Sequence, residues 1–131
     1  MSRILAIDWG KKRIGLAICD ELRVSVQGLP TLVRKNRATD LDVLCELINE
    51  REVGVLLVGE PSSQLGSTSQ AEQFGRTLAK RTKLDLIMWD EQLTSFEADS
   101  ILKETGVRRI AKGETDRGAA AVILLSYLNS C

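Results

Sequence analysis

The chain has 131 residues and carries 18 basic and 18 acidic side chains, for a formal net charge of zero. Hydrophobic residues make up 44% and charged residues 27%, an ordinary globular balance that excludes a disordered tail or a coiled coil as the whole molecule. Histidine is absent, which removes histidine triads, histidine zinc sites and imidazole bases, and zero net charge means that any nucleic acid must be met by a local basic patch.

The predicted elements alternate clearly. RILAID, residues 3–8, is a short apolar run closed by Trp9-Gly10 and reads as a buried strand. RIGLAIC, residues 13–19, reads as a second strand, with Gly10-Lys11-Lys12 as the hairpin turn, and residues 24–33 form a weaker third. Residues 40–50 place Leu41, Leu44, Leu47 and Ile48 at helical spacing. GVLLVG, residues 54–59, is a continuous apolar run of the kind found in a central parallel strand. A polar loop over 61–66 precedes a capping box at 67–70, which opens a helix running to about Arg81. LDLIMW, residues 84–89, is the next strand, and Thr94–Glu97 is a second capping box before a helix that turns Ala98, Ile101 and Leu102 inward. Thr115 or Asp116 starts a last helix through Ala119, Ala120, Ile123, Leu124 and Tyr127.

Hairpins give antiparallel pairs and helical crossovers give parallel ones. The expectation is one α/β domain over residues 1–131, a three-layer ribonuclease H-like fold. Its mixed five-stranded sheet has three antiparallel hairpin strands, then two parallel strands, with helices on its flanks. The cysteines are Cys19, Cys45 and Cys131, an odd number without a CxxC pair, as expected for free thiols in a reducing compartment. The N-terminus lacks a signal-peptide pattern and no apolar run approaches the roughly 20 residues of a membrane helix, so a cytoplasmic protein without a membrane partner is expected.

The acidic residues fall in a pattern. Asp8 ends the first strand, Glu60 the fourth, and Asp90-Glu91 the fifth, while Asp116 opens the last helix. Parallel neighbours would bring the strand ends to one edge, where ligand sites of open α/β sheets gather. Each acid alone has a bland reading as a turn residue or a helix cap. Asp116 shares a helical face with Ala120, Ile123 and Tyr127, which look inward, and an inward carboxylate needs a partner or a metal. Converging carboxylates repel unless a cation lies between them, and oxygen ligands without histidine or cysteine select Mg²⁺ or Mn²⁺. Two such ions can activate water and stabilise the leaving oxygen of a phosphodiester. The basic residues next to the acids, Lys11, Lys12, Arg13, Lys112 and Arg117, are the candidate phosphate contacts. Three further groups, 34–37, 76–83 and 108–109, contain basic residues, of which Lys80 and Arg81 read as a solvated helix end. Trp9 beside the site reads as packed rather than as a base-stacking platform.

Four stretches together resemble the YqgF (RuvX) family. AIDWGKKRIGLAI is similar to its opening D-x-G-x-K-x-I-G motif, WDEQLTSFEAD to its D-E-R-x-T-x-x-E-A block, and KGETDRGAAAVILLSYL to its closing K-x-x-x-D-x-x-A-A-x-x-I-L block. VGEPSSQLGSTS stands where the family has V-G-L-P and a polar stretch. The resemblance implies a metal-dependent nuclease with Asp8, Glu91 and Asp116 as catalytic and metal-binding acids; from their strand-end positions, Glu60 or Asp90 is expected to assist. Family members are described as nucleases that mature the 5′ end of pre-16S ribosomal RNA and as Holliday-junction resolvases, so the implied partner is RNA or branched DNA. Gln92 replaces the usual Arg, Lys11 a common Thr, and Glu60 an apolar residue. Glu60 reads equally as a fourth ligand or as a solvated residue before Pro61. Two rivals stand beside this reading: an ATP-binding enzyme of the actin and sugar-kinase class, which would need a second such domain, and a non-catalytic binding module. The oligomeric state, monomer or homodimer, has no legible interface stripe.

Overall fold

The computed structural model describes residues 3–60, 70–90, 109–110 and 119–130. β1 (Arg3–Trp9), β2 (Arg13–Cys19) and β3 (Ser25–Val33) form an antiparallel meander. Helix α1 (Arg37–Glu50) then carries the chain to β4 (Val53–Glu60), and α2 (Gln70–Thr82) carries it to β5 (Asp85–Asp90). β6 (Arg109–Ile110) and α3 (Ala119–Ser130) complete the described elements. The sheet order is β5-β4-β1-β2-β3-β6, with β1 parallel to β4, β4 parallel to β5 and β3 parallel to β6.

The expected mixed sheet is thus present, with one strand more than the pattern indicated. β6 is two residues long and pairs only with Ser25 and Val26, too short a run to leave an apolar signature. The helix expected after Thr94 and the first residues of the last helix lie outside the described residues.

Alternation along each strand divides the core between two layers. Leu5 and Ile7 of β1, Ile14, Leu16 and Ile18 of β2, and Leu56 and Val58 of β4 face α1 and α2, where Leu41, Leu44, Phe74 and Leu78 cover them. Ile4 and Ala6, Ala17 and Cys19, and Leu57 face the other way, under Ala120, Ile123, Leu124 and Leu128 of α3. Both faces of β1 are therefore apolar and buried up to Ile7, which explains why its sequence runs unbroken rather than alternating. Pro30 lies in β3 beyond the two residues that pair with β6, on an edge where its missing N–H breaks no ladder.

α1 begins at Arg37, three residues before the expected start at Asp40. Asn36 caps it, its side-chain oxygen accepting from the Thr39 amide at 2.8 Å. α2 packs so closely on the sheet that a Cβ on Gly75 would stand 3.0 Å from Val58 Cγ2 and 3.3 Å from Leu86 Cδ1. Cys19 and Cys45 are free thiols, as expected, and burial pushes the Cys19 thiol above its ordinary pKa. Among the described residues no helix is long and apolar enough to cross a membrane.

Candidate functional site

Asp8 stands where β1 leaves the core. Residues of β1 alternate between layers, so Asp8 belongs to the α3 face with Ile4 and Ala6. It is half-buried, and its cross-strand partner on β2 is Gly15. A Cβ on Gly15 would lie 3.5 Å from Asp8 Cβ, 3.9 Å from Asp8 Oδ2 and 3.7 Å from Ala120 Cβ. The glycine leaves a methyl-sized hollow between the Asp8 side chain and Ala120 of α3. The β2–β3 register also shifts between Ile14 and Leu16, so Gly15 sits at an irregularity of the ladder. Gly15 is the closing glycine of the D-x-G-x-K-x-I-G motif, to which the sequence alone attached no role; a glycine inside a strand pattern was the available signal.

The other strand ends come to the same edge. Ile7 pairs with Val58 in parallel register, Gly59 pairs with Trp89, and Glu60 with Asp90. Neighbouring strands are about 4.8 Å apart. The backbone thus brings the positions of Asp8, Glu60 and Asp90 to adjacent strand ends, as the parallel order implied. Glu60 and Asp90 occupy the register parity of Val58 and Met88, which differs from that of Asp8. Glu91, Asp116, Lys112 and Arg117 lie outside the described residues. Of the face on which Asp116 was placed, Ala120 and Ile123 are buried against the sheet and Tyr127 meets Trp89 edge-on, with ring centroids 5.4 Å apart. Trp89 Nε1 donates to Ser126 at 3.3 Å, which ties α3 to β5.

The hairpin turn after Asp8 has an unusual support. A Cβ on Gly10 would stand 2.8 Å from the Arg13 carbonyl oxygen, so only glycine fits there. Lys11, Lys12 and Arg13 follow, all exposed. Arg34 reaches across from the end of β3. Its Nη1 donates to the Gly10 and Lys11 carbonyls at 3.3 and 3.4 Å, and its Nε donates to Asp40 Oδ2 at 3.1 Å. The guanidinium also covers the Trp9 ring, 4.6 Å from its centroid. Asp40 is only 1% exposed and accepts a second bond from the Lys35 amide. So Arg34, one of the further basic groups in the sequence, is engaged internally, and Asp40 is a buried acid that the apolar spacing of α1 did not reveal.

Other basic residues are committed as well. Arg37 donates to Thr77 Oγ1 at 2.8 Å, Arg81 pairs with Asp42 at 2.7 Å, and Arg76 pairs with Glu72 one turn earlier on α2. The bond to Asp42 raises the Arg81 pKa further. Trp9 is packed, tilted against Phe74 at 6.3 Å between centroids.

The donor chemistry suits a hard divalent cation. Asp8 offers carboxylate oxygens beside space that Gly15 keeps open, and the chain has no imidazole to compete. Among the described residues no three potential ligands stand together, since the remaining candidate acids fall outside them or lack described side chains.

The arrangement has known counterparts. The family model described as "RuvX: Holliday junction resolvase" matches residues 2–130. This chain belongs to the RuvX family. A RuvX relative from Koribacter versatilis, named "Putative pre-16S rRNA nuclease", is 43% identical over 131 residues, spanning 96% of this chain and 86% of its own. A relative of the same name from Synechococcus sp. is 41% identical over 130 residues, spanning 95% and 87%. In structure, the chain is similar to Thermus thermophilus RuvC in complex with a Holliday junction substrate, with a TM-score of 0.68, 13% identity and coverage of 99% and 95%. That likeness is one of fold. In this RuvX-family chain the opening motif is therefore the β1–turn–β2 hairpin that carries Asp8, Gly10 and Gly15.

Proposed function

We propose that this chain is a metal-dependent nuclease that hydrolyses phosphodiester bonds in pre-16S ribosomal RNA. The observation that carries the reading is the Asp8 carboxylate, half-buried beside the Gly15 hollow on the edge where β1, β4 and β5 end, in a chain that matches the RuvX family along nearly its whole length. The name shared by its relatives supports RNA as the substrate.

In this reading Asp8, Glu91 and Asp116 hold two Mg²⁺ or Mn²⁺ ions, with Glu60 or Asp90 assisting. The bound ions supply an activated water and neutralise charge on the leaving oxygen. The protein does the rest. Asp8 is fixed by a strand buried on both faces, so its carboxylate is held in place before substrate arrives. Lys11, Lys12 and Arg13 on the adjoining turn, with Lys112 and Arg117, hold the phosphate backbone and set its register against the acids. Trp9 packs behind the carboxylate and stacks on no base.

The test incubates the protein with labelled pre-rRNA, single-stranded RNA, duplex DNA and a four-way junction, each with Mg²⁺, Mn²⁺ or chelator. Cleavage of pre-rRNA is expected only with metal. Asp8→Asn should reduce it by about a thousandfold or more, the scale on which removing one key electrostatic group acts, with an unchanged melting temperature. A variant that still cuts normally sinks the assignment. Glu60→Leu restores the family's usual apolar residue; a lowered activity is expected of an assisting acid, and full activity would show that Glu60 is dispensable. Selective cutting of the junction would move the substrate to branched DNA, the alternative that the family description favours. Binding without cleavage, indifferent to Asp8→Asn, would make the chain a non-catalytic module.

A further inference from the structure

The turn that follows Asp8 carries three consecutive cations, Lys11, Lys12 and Arg13. Their mutual repulsion opposes a tight turn, and the carbonyls of Gly10 and Lys11 project from it in need of donors. Arg34 answers both needs. Its Nη1 donates to the two carbonyls, its amide donates to the Lys12 carbonyl at 3.0 Å, and its plane lies against the Trp9 indole. A fourth cation here would add to the repulsion, but Asp40, buried in the first turn of α1, pairs with Nε and offsets its charge. All of this lies on the α1 and α2 side of the sheet, whereas Asp8 belongs to the α3 side.

We propose that Arg34 and Asp40 are positioning residues that fix the Gly10–Lys12 turn from behind, and through it the placement of Asp8. This rests on the nuclease reading above. Arg34 acts through the backbone and touches no phosphate. The role requires a guanidinium, because one group must serve a carboxylate, two carbonyls and an aromatic face at once; an ammonium cannot present that fork.

The experiment compares Arg34→Lys, Arg34→Gln and Asp40→Asn with the parent protein. Two readouts are taken: steady-state cleavage over a series of salt concentrations, and amide hydrogen exchange of residues 10–13. All three variants are expected to lower kcat by about tenfold or more, since small misplacement of a reacting group carries losses of that order. KM and its salt dependence should stay within about twofold, because no phosphate contact is lost. Exchange at 10–13 should quicken by about tenfold while the strands keep their protection. The double variant Arg34→Met/Asp40→Leu removes both charges together and leaves neither buried alone; it should melt close to the parent and show the same kcat loss as the single variants.

If Arg34→Lys keeps full kcat while Arg34→Gln raises KM and flattens the salt dependence, Arg34 is a phosphate contact and the proposal falls. Unchanged exchange at 10–13 in all variants also overturns it. If the parent cleaves none of the substrates, the nuclease reading fails by itself, and the exchange measurement still decides whether Arg34 and Asp40 hold the turn.

Discussion

A methyl group on Gly15 would make ordinary van der Waals contact with Asp8 and Ala120, at 3.5 and 3.7 Å. Anything larger would occupy the space beside Asp8 Oδ2. Gly15→Ala is therefore expected to fold and to retain most of its cleavage activity, while Gly15→Leu should lose activity and, by crowding Ala120, about 1–3 kcal/mol of stability as well. Activity assays paired with thermal melts would check this, and an active Gly15→Leu protein would show that the hollow is not where substrate or metal enters. At this scale the sequence was legible where a residue's position follows from the strand pattern, as for Asp8 at the end of β1. It was opaque where the role depends on a long-range partner. Asp40 looks like any first-turn acid of a helix, and Arg34 like one of several surface cations; only the packing of β3 against α1 brings them together. The same limit applied to Glu60 and Asp90, whose strand-end positions were foreseeable and whose register parity was not.

The elements were more legible than their ends. The strands and helices of the β1–β5 region appear in the expected order because apolar runs and helical spacing report burial directly. Helix ends depend on caps, and the end of α2 departs from the common signal. Lys83, after α2, takes a left-handed backbone with φ 60°, and the Leu84 amide donates to the Ala79 carbonyl at 3.2 Å, the closing bond of a Schellman-type end. Glycine is the usual residue there; even without it, the expected end near Arg81 falls within one residue of the observed Thr82. Lys83→Gly should raise stability by about 1 kcal/mol by relieving the left-handed penalty. Urea denaturation would measure it, and a loss of stability would mean that the lysine stem contributes packing that outweighs the strain.

Over the whole molecule, zero net charge makes attraction to a polyanion a matter of where charges are free. Several basic residues that the sequence offered as a surface are engaged within the protein, Arg34 with Asp40 and Arg81 with Asp42 among them. The exposed cations of the β1–β2 turn remain next to Asp8. Replacing Lys11 and Lys12 together by Ala should raise KM for RNA and lower the slope of log binding constant against log salt by about 1.4, roughly 0.7 per lost contact with a single strand. An unchanged slope would place the nucleic acid elsewhere. The sheet itself was foreseeable as a mixed one because hairpin-linked and helix-linked strands alternate in sequence, whereas β6 needs only two residues of β3 and leaves no trace in composition.

The helix that seals the Asp8 face comes after every strand among the described residues. Among the described residues α3 alone covers Ile4, Ala6, Ala17 and Leu57. Synthesis runs from the N-terminus, so the meander and β4 emerge with one face still bare, and the hollow beside Asp8 lacks its Ala120 wall until residues 119–130 have left the ribosome. A chain stopped short of residue 119 would therefore carry Asp8 with one side of its hollow unwalled.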